Sequence, residues 1–314
     1  MRLTLDDDRM LKLLNMLERG ASGQKIAEEL GISRTSVWKM IKKLESLGYR
    51  ISAKRKVGYK LIESPDLSPY EVAKVCRKLG DLIREIYYYE VTDSTNQRAK
   101  ELKNPGILIV AERQTAGRGR FGRIWISEPG GLYFSLTLPK SMPIEEVPKL
   151  TLTTGVAVAE AIGGRIKWTN DILIEGKKVC GILCELTGEI ENPLIIVGIG
   201  INVNNPAPKE FNAISLKDVY RKELNRSEIL GRVLDNFARY YKMLTEGKWD
   251  EIRRKWKKLS DTLGREVVVR VAGREFRGLA LDIDEDGGLI LKCGKKIEKI
   301  FSGECFYVSD LQSS

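Results

Sequence analysis

The stretch AERQTAGRGRFGRIW, residues 111–125, sets three arginines on a frame of glycines and closes with a tryptophan. Glycine lets a chain fold back tightly, and an arginine fork binds carboxylate or phosphate through paired hydrogen bonds. The stretch is not repeated, and runs typical of strands lie on both sides of it. These features favour a loop that holds a small anion within a folded domain over a flexible basic tail that binds RNA.

Length and composition predict a multidomain, cytoplasmic protein that does not contact a membrane. The chain has 314 residues, of which 42% are hydrophobic and 31% charged, and no apolar run approaches the length that spans a bilayer. The N-terminus is acidic and lacks the apolar segment of a signal peptide. Five scattered cysteines suit a reducing compartment, and Cys180 and Cys184 fit small core positions of a strand.

The absence of histidine narrows the chemistry. The chain contains none, which excludes histidine-based triads and the usual histidine-containing zinc sites, and no metal site is predicted. The net charge is +10, and residues 1–64 hold 14 lysines and arginines against 8 acidic residues, an excess of six. This concentration predicts a phosphate-bearing partner that binds at the N-terminal end.

Residues 1–64 have the pattern of a winged helix-turn-helix. Apolar residues recur at helical spacing within 5–19 and 21–31, Ser33 can cap a third helix, and residues 49–62 alternate as a hairpin. Such a third helix enters a major groove while the wing contacts the DNA backbone, although helix-turn-helix folds also serve as protein-interaction modules. The residues predicted to contact DNA are Ser33, Arg34, Thr35, Ser36, Trp38, Lys39 and Lys42 on the third helix and Lys54, Arg55 and Lys56 at the hairpin tip.

The remainder of the chain predicts two further domains. Ser68 and Pro69 begin a helix over about 69–79, β-branched runs then alternate with helical patterns, and residues 227–261 have helical spacing. Short strands and turns at the C-terminal end are typical of a small β-barrel. The predicted fold is therefore α+β and multidomain, with domains at 1–64, 65–262 and 263–314.

Three more motifs accompany the glycine-arginine stretch in the central region. They are DSTN at 93–96, KWTNDILIEGKKVCGILCEL at 167–186 and GIGIN at 198–202. The first alone could be a helix cap, and a Gly-x-Gly alone is weak evidence. In the second, Lys178 could offset negative charge on a phosphate and Asp171 could orient an amine, as activation of an acyl group by ATP requires.

The order and spacing of these motifs strongly resemble the bifunctional biotin protein ligases that double as biotin operon repressors. The family pattern runs Ser-Thr-Asn, Gly-Arg-Gly-Arg-x-Gly-Arg, Lys-Trp-Pro-Asn-Asp, a lysine before a Gly-Ile-Leu strand, and Gly-x-Gly-x-Asn. All five elements occur here in that order, and the resemblance covers essentially the whole chain. One departure is Thr169 in place of the proline, which we expect to loosen the turn without removing the site.

The resemblance implies a role for each matching residue. Ser94, Thr95 and Asn96 would line a biotin pocket, and the loop would close over the biotin carboxylate and the adenylate phosphate while Trp125 anchors its exit. Gly181 would let its strand approach biotin closely. The implied catalytic residues are Lys178, Asp171, Arg118 and Arg120. The implied residues that bind biotin and ATP are Ser94, Thr95, Asn96, Gln114, Gly117, Arg118, Gly119, Arg120, Arg123, Asn170, Lys178, Gly181 and Asn202.

The resemblance also implies fold, reaction and partners. The central domain would be a mixed α/β ligase domain similar to class II aminoacyl-tRNA synthetases, followed by an SH3-like β-barrel. The enzyme would make biotinyl-5′-AMP from biotin and ATP with Mg²⁺, and then transfer biotin to a lysine of the biotin carboxyl-carrier domain of a carboxylase. The adenylate-loaded form would dimerise on operator DNA upstream of biotin genes and repress them.

Two alternatives remain open from the sequence. One is a biotin-sensing DNA-binding regulator with little catalysis, against which the intact Arg118, Arg120, Asp171 and Lys178 argue. The other is a ligase of the same fold that acts on lipoate or octanoate, against which GRGRFGR and KWTND argue.

Overall fold

The computed structural model describes residues 1–4, 9–54, 58–139, 142–189, 193–208 and 211–311. Within this part of the chain, three separate β-sheets are formed, with eight, five and two strands. None of the helices described is long and apolar enough to cross a membrane.

The N-terminal region forms the predicted three helices and hairpin. Ser33 caps the third helix by accepting a hydrogen bond from the Ser36 N–H at 3.1 Å, and Val37, Ile41 and Leu44 are buried. Arg55 and Lys56 of the predicted wing tip lie outside the described residues. The elements are β1 (Arg2–Thr4), α1 (Arg9–Arg19), α2 (Gly23–Leu30), α3 (Arg34–Ser46), β2 (Arg50–Lys54) and β3 (Gly58–Glu63).

The short strand β1 belongs to the central sheet, which the sequence pattern did not predict. It pairs antiparallel with the strand that begins at Glu85, with Leu3 opposite Ile86. The Arg2 guanidinium donates to the Glu85 carboxylate at 2.7 Å. The chain therefore starts on the sheet, leaves it to form the helical region, and returns through a linker. In that linker Asp66 forms an ion pair with the buried Arg226 at 2.6 Å.

The central region is a mixed sheet with helices on both faces. The strand order is β1-β4-β5-β6-β10-β9-β8-β7, and only β4 and β5 are parallel. Helix α6 packs on β7, β8 and β9 and is covered by α8 and α9, whereas α5 packs on β5, β6 and β10. The elements are α4 (Pro69–Cys76), β4 (Glu85–Thr92), α5 (Thr95–Leu102), β5 (Ile107–Gln114), β6 (Leu132–Thr137), α6 (Val147–Ile162), β7 (Arg165–Lys167), β8 (Asp171–Ile174), β9 (Lys177–Thr187), β10 (Leu194–Ile201), α7 (Leu216–Tyr220), α8 (Arg226–Thr245) and α9 (Trp249–Leu259).

Some predicted elements differ in extent from those observed. The helical pattern over 227–261 is two helices, because Gly247 adopts a positive φ of 75° between them. Trp249 and Trp256, on the second of these helices, are both buried. The helix that begins at Pro69 ends at Cys76, three residues before the predicted end.

The C-terminal region is an antiparallel sheet of five strands, which confirms the predicted small β domain. Its strand order is β14-β13-β12-β11-β15. The elements are β11 (Glu266–Val271), β12 (Arg274–Ile283), β13 (Leu289–Cys293), β14 (Lys296–Ile300), β15 (Glu304–Tyr307) and α10 (Val308–Leu311). Strand β15 lies against the central domain, because Tyr307 donates a hydrogen bond to Asp261 at 2.8 Å.

Candidate functional site

Three glycines leave a small area on one face of the central sheet without side chains. Gly200 on β10 lies directly opposite Gly181 on β9, and Gly198 is two residues before Gly200 on the same face. A Cβ on Gly198 would overlap the Asn96 side chain, and one on Gly200 would overlap the Trp125 indole. The glycines therefore form the floor of a recess that other residues enter.

A cavity of about 830 Å³ lies above this floor. The glycine-arginine loop, the ends of β7 to β10 and residues 303–307 of the C-terminal domain surround it. Two carboxylates, Asp171 and Glu304, face five cations. The cations that line the cavity are Arg118, Arg120, Arg123, Lys167 and Lys178. The excess of positive charge makes the cavity suited to an anionic ligand.

The loop folds back on itself at its base. The Trp125 N–H donates to the Gly117 carbonyl at 2.9 Å, and the Gly119 N–H donates to the Arg123 carbonyl at 2.8 Å. A Cβ on Gly117 would overlap the Trp125 carbonyl, so this close approach requires glycine. The Trp125 ring lies on the glycine floor, 3.0 Å from where a Cβ of Gly181 would be. Gly181, implied to approach biotin, thus faces Trp125.

The three arginines of the loop have different surroundings. Arg118 is exposed and forms no ion pair among the described residues, whereas Arg123 pairs with Glu304 of the C-terminal domain. Arg120 is half-buried and donates to the hydroxyl of Thr169, to Asn170 Oδ1 at 3.3 Å and to the Gly303 carbonyl at 3.4 Å. Burial lowers the pKa of Arg120. The loop is therefore fixed both to the turn at residues 169–170 and to the C-terminal domain.

Hydrogen bonds to three other parts of the chain hold the turn around Thr169. The residue is buried, and its hydroxyl accepts the hydrogen bond from Arg120. The preceding Trp168 N–H donates to Thr262 Oγ1 at 2.8 Å, and Asn170 Nδ2 donates to the Ile182 carbonyl at 2.8 Å. A side-chain hydroxyl and two backbone contacts hold the segment, and a turn looser than one with proline remains a prediction.

Residues of the DSTN motif form part of the cavity wall. Ser135 donates to Asn96 Oδ1 at 2.5 Å, and Asn96 Nδ2 donates to Glu185 at 2.8 Å. The amide of Asn96 is thereby fixed at the cavity wall, where Ser94 also lies. Thr95 does not line the cavity; its N–H donates to Gln114 Oε1 at 2.8 Å, and its hydroxyl accepts a hydrogen bond from Ser135 at 2.7 Å.

Lys178 and Asp171 form an ion pair at the centre of the site. Their Nζ and Oδ1 atoms are 2.7 Å apart, and Lys178 Nζ lies 5.4 Å from the centroid of the Trp125 ring. Asp171 is the first residue of β8 and follows directly after the turn. Asn202 is buried at the end of β10 and accepts a hydrogen bond from Asn205 Nδ2 at 3.0 Å.

The structure therefore gathers most of the implied site residues around one cavity, while Thr95 and Gly117 lie behind its wall. Those that line it are Ser94, Asn96, Gln114, Arg118, Gly119, Arg120, Arg123, Asn170, Asp171, Lys178, Gly181 and Asn202. Sequence reasoning missed Lys167, Glu304 and Tyr307. Lys167 begins the KWTND motif and could have been noticed there, but no sequence signal places the C-terminal residues beside the loop.

The exposed face of α3 is a second candidate site. Thr35, Lys39 and Lys42 are exposed, and Trp38 retains 51% of its accessible surface. Lys42 forms an ion pair with Glu45 at 2.6 Å. An exposed tryptophan among cations and hydroxyls provides groups that can contact bases and phosphates.

Three regions of the chain match models of known families. Residues 88–202 match the biotin/lipoate A/B protein ligase family, residues 8–60 match a helix-turn-helix domain, and residues 262–308 match the biotin protein ligase C-terminal domain. Together with the cavity, these matches define a ligase that carries a helix-turn-helix domain.

Relatives extend the similarity over the whole chain. The bifunctional ligase/repressor BirA of Bacillus subtilis (strain 168) is 36% identical over 97% of this chain and 99% of its own length. The protein of the same name from Escherichia coli (strain K12) is 30% identical over 95% and 97%. The structure of biotin protein ligase from Aquifex aeolicus in complex with biotin and ATP matches with a TM-score of 0.64 at 36% identity, covering 70% of this chain and 97% of that one. The chain belongs to the family of bifunctional biotin ligase/repressors.

Proposed function

We propose that this protein joins biotin and ATP to form biotinyl-5′-AMP, transfers biotin to a carrier-protein lysine, and represses biotin genes. The observation that supports this most directly is the cavity, where a glycine floor lies under a loop with three arginines. The lining of the cavity suits a ligand with an apolar part and an anionic part, because the glycine floor allows close contact and the walls carry cations.

In the proposed first step, an oxygen of the biotin carboxylate attacks the α-phosphorus of ATP. The bond from that phosphorus to the bridging oxygen breaks, and pyrophosphate leaves. Lys178 would stabilise the charge that develops on the phosphoryl oxygens, and Arg118 would bind the carboxylate or phosphate, since it has no ion-pair partner among the described residues. Asn96, which hydrogen bonds fix at the cavity wall, and Ser94 beside it would bind the ring of biotin.

In the proposed second step, the amine of a carrier lysine attacks the acyl carbon and AMP leaves. The amine must be uncharged to attack, and Asp171 would orient it and accept its proton. Arg120 would hold the loop closed between the two steps, because its hydrogen bonds join the loop to Thr169 and Gly303. Closure would keep water away from the reactive mixed anhydride.

Magnesium would arrive with ATP. In the described ranges, no three acidic or cysteine side chains come close enough together to hold a metal ion. Mg²⁺ commonly binds through one or two carboxylates together with substrate phosphates. Asp171 fits that arrangement as one carboxylate, and the ion would screen the phosphate charge.

Repression would use the exposed face of α3 and the wing. Thr35 and Trp38 would face bases, and Lys39, Lys42 and Lys54 would face phosphates, with Arg55 and Lys56 as predicted wing contacts that the described residues do not include. Dimerisation of the adenylate-loaded form would double these contacts on operator DNA. We place these events in the cytoplasm, where biotin genes and carboxylases are accessible.

One experiment separates the proposed reaction from its rivals. Pyrophosphate release should be measured with biotin, lipoate and octanoate in parallel, followed by transfer to a purified biotin carboxyl-carrier domain. We expect release with biotin alone and labelling of one carrier lysine. Release with lipoate or octanoate in its place would redirect the proposal to another acyl group, and the absence of release with all three would reduce the protein to a regulator.

A further inference from the structure

Of the two lysines that line the cavity, only Lys167 has no carboxylate partner among the described residues. Lys178 pairs with Asp171, and Arg123 pairs with Glu304. No carboxylate oxygen of the described residues lies within 4.0 Å of Lys167 Nζ. Its contact is with the Tyr307 ring, whose centroid lies 4.4 Å from Nζ. A cation that lines a cavity without a counterion is available to an anionic ligand.

The sheet register places Lys167 on the face of the sheet that carries the site. Lys167 on β7 lies directly opposite Asp171 on β8, Asp171 lies opposite Gly181 on β9, and Gly181 lies opposite Gly200 on β10. Directly opposed residues point to the same face of a sheet. Lys167 therefore shares the face of the glycine floor, at the other end of a row that spans three strand spacings, roughly 14 Å.

Tyr307 fixes the position of the lysine. Its hydroxyl donates to Asp261 at 2.8 Å, and the Arg265 guanidinium lies on its ring at 4.8 Å. The ring is thus held by the C-terminal domain and the segment that precedes it, and it supports the Lys167 side chain from one side. The ammonium group keeps its other sides for a ligand in the cavity.

We propose that Lys167 binds the β- and γ-phosphates of ATP and the pyrophosphate that leaves. This inference rests on the proposed ligase function and names a residue for the part of the substrate farthest from the biotin end. With biotin at Asn96 and the α-phosphate at Lys178, the terminal phosphates extend toward the edge strands, where Lys167 is the cavity lysine without an ion pair among the described residues. Charge on the leaving pyrophosphate grows as the bond to the α-phosphorus breaks, and Lys167 stabilises that charge.

The two half-reactions test this inference, because only the first one involves the terminal phosphates. Lys167→Met removes the charge and keeps the chain length, Lys167→Arg keeps the charge, and Lys177→Met is a matched control at an exposed lysine outside the cavity. For each protein, the KM values for ATP and biotin, inhibition by inorganic pyrophosphate and transfer from supplied biotinyl-5′-AMP should be measured.

For Lys167→Met we expect the KM for ATP and the inhibition constant of pyrophosphate to rise about tenfold to a hundredfold, the loss of one charge-assisted hydrogen bond to phosphate. The KM for biotin and the rate of transfer from supplied biotinyl-5′-AMP should stay within about twofold of wild type, because neither involves the terminal phosphates. Lys167→Arg should recover part of the ATP affinity, and Lys177→Met should behave as wild type.

Two results would overturn the inference. One is an unchanged KM for ATP with unchanged pyrophosphate inhibition in Lys167→Met. The other is an equal loss in both half-reactions with a lower melting temperature, which would make the contact with Tyr307 a structural one. If the wild type itself released no pyrophosphate, the ligase proposal would fail. Titration of wild type and Lys167→Met with tripolyphosphate would then still decide whether Lys167 binds phosphate.

Discussion

The glycine-arginine loop and the exposed face of α3 are both basic, but they use their charges differently. In the loop, Arg120 and Arg123 are bound to the Thr169 turn and to the C-terminal domain. On α3, Lys39 is exposed and Lys42 has a partner only on its own helix. In the proposed function the loop would enclose a small anion from several sides, whereas α3 would offer its exposed face to an extended one. Substitutions in the cavity should therefore cause large losses of activity that do not depend on salt. Substitutions on α3 should cause smaller losses of DNA affinity that do depend on salt.

The largest effect is expected for Lys178→Ala. Loss of this ammonium leaves the Asp171 carboxylate in the cavity without its 2.7 Å partner. It also removes the positive charge that we propose stabilises the reacting phosphate. Adenylate formation should fall about 10²- to 10³-fold, the usual cost of removing one group that stabilises a transition-state charge. Pyrophosphate release measures it, with circular dichroism to confirm folding and Lys177→Ala as control. Near-normal synthesis in the folded variant would contradict the role given to Lys178.

The second largest effect tests the glycine floor. In Gly198→Ala the new methyl group would overlap the Asn96 amide, which three hydrogen bonds hold in place. We expect kcat/KM for biotin to fall about tenfold to a hundredfold and stability to fall by about 1–3 kcal/mol, as for an overpacked site. Gly80→Ala is the matched control, because a Cβ there meets nothing within 4 Å. Unchanged biotin kinetics in Gly198→Ala would mean that the Asn96 end does not bind biotin.

A third and smaller effect concerns loop closure. Arg120→Gly removes the hydrogen bonds that connect the loop to Thr169, Asn170 and Gly303. The intermediate should escape about tenfold faster, since a charge-assisted contact of this kind contributes about 1.5–3 kcal/mol. Biotin incorporated into a bystander protein measures the escape, and Arg113→Ala on the neighbouring strand is the control. If the adenylate is made and bystander labelling does not increase, the loop does not retain it.

These contrasts also explain what the sequence could predict. The α3 surface comes from one continuous segment, so helical spacing alone separated its exposed face from Val37, Ile41 and Leu44. The cavity combines residues from 94 to 307, and its motifs identified the segments but not their neighbours. Glu304 and Tyr307 enter it through the docking of the C-terminal domain, and β1 joins the sheet through only three residues. No local periodicity carries such long-range contacts.

The wing provides a fourth test, in which the expected effect depends on salt. Replacing Lys54, Arg55 and Lys56 with alanine should weaken operator binding and reduce the slope of log affinity against log salt by up to about three, since each phosphate contact contributes roughly 0.9. Biotin transfer should be unchanged, because no described residue of the N-terminal region 1–64 lines the cavity. An unaltered slope would remove the wing from the DNA interface.

The smallest effect distinguishes two neighbours on α3 that carry different chemistry. Lys39→Ala should lower the salt slope by about 0.9 and weaken binding to operator and random duplex alike, because a phosphate contact carries no sequence information. Trp38→Ala should leave the slope unchanged and reduce the preference for operator DNA, because an uncharged ring can contact bases and releases no counterions. Lys42→Ala should have less effect than Lys39→Ala, since Glu45 already pairs with Lys42 and DNA must displace it. Fluorescence titration of the adenylate-loaded protein at several salt concentrations measures all three. If neither Lys39→Ala nor Trp38→Ala changes binding, α3 does not face DNA, and its exposed tryptophan is better explained as a contact for a protein partner.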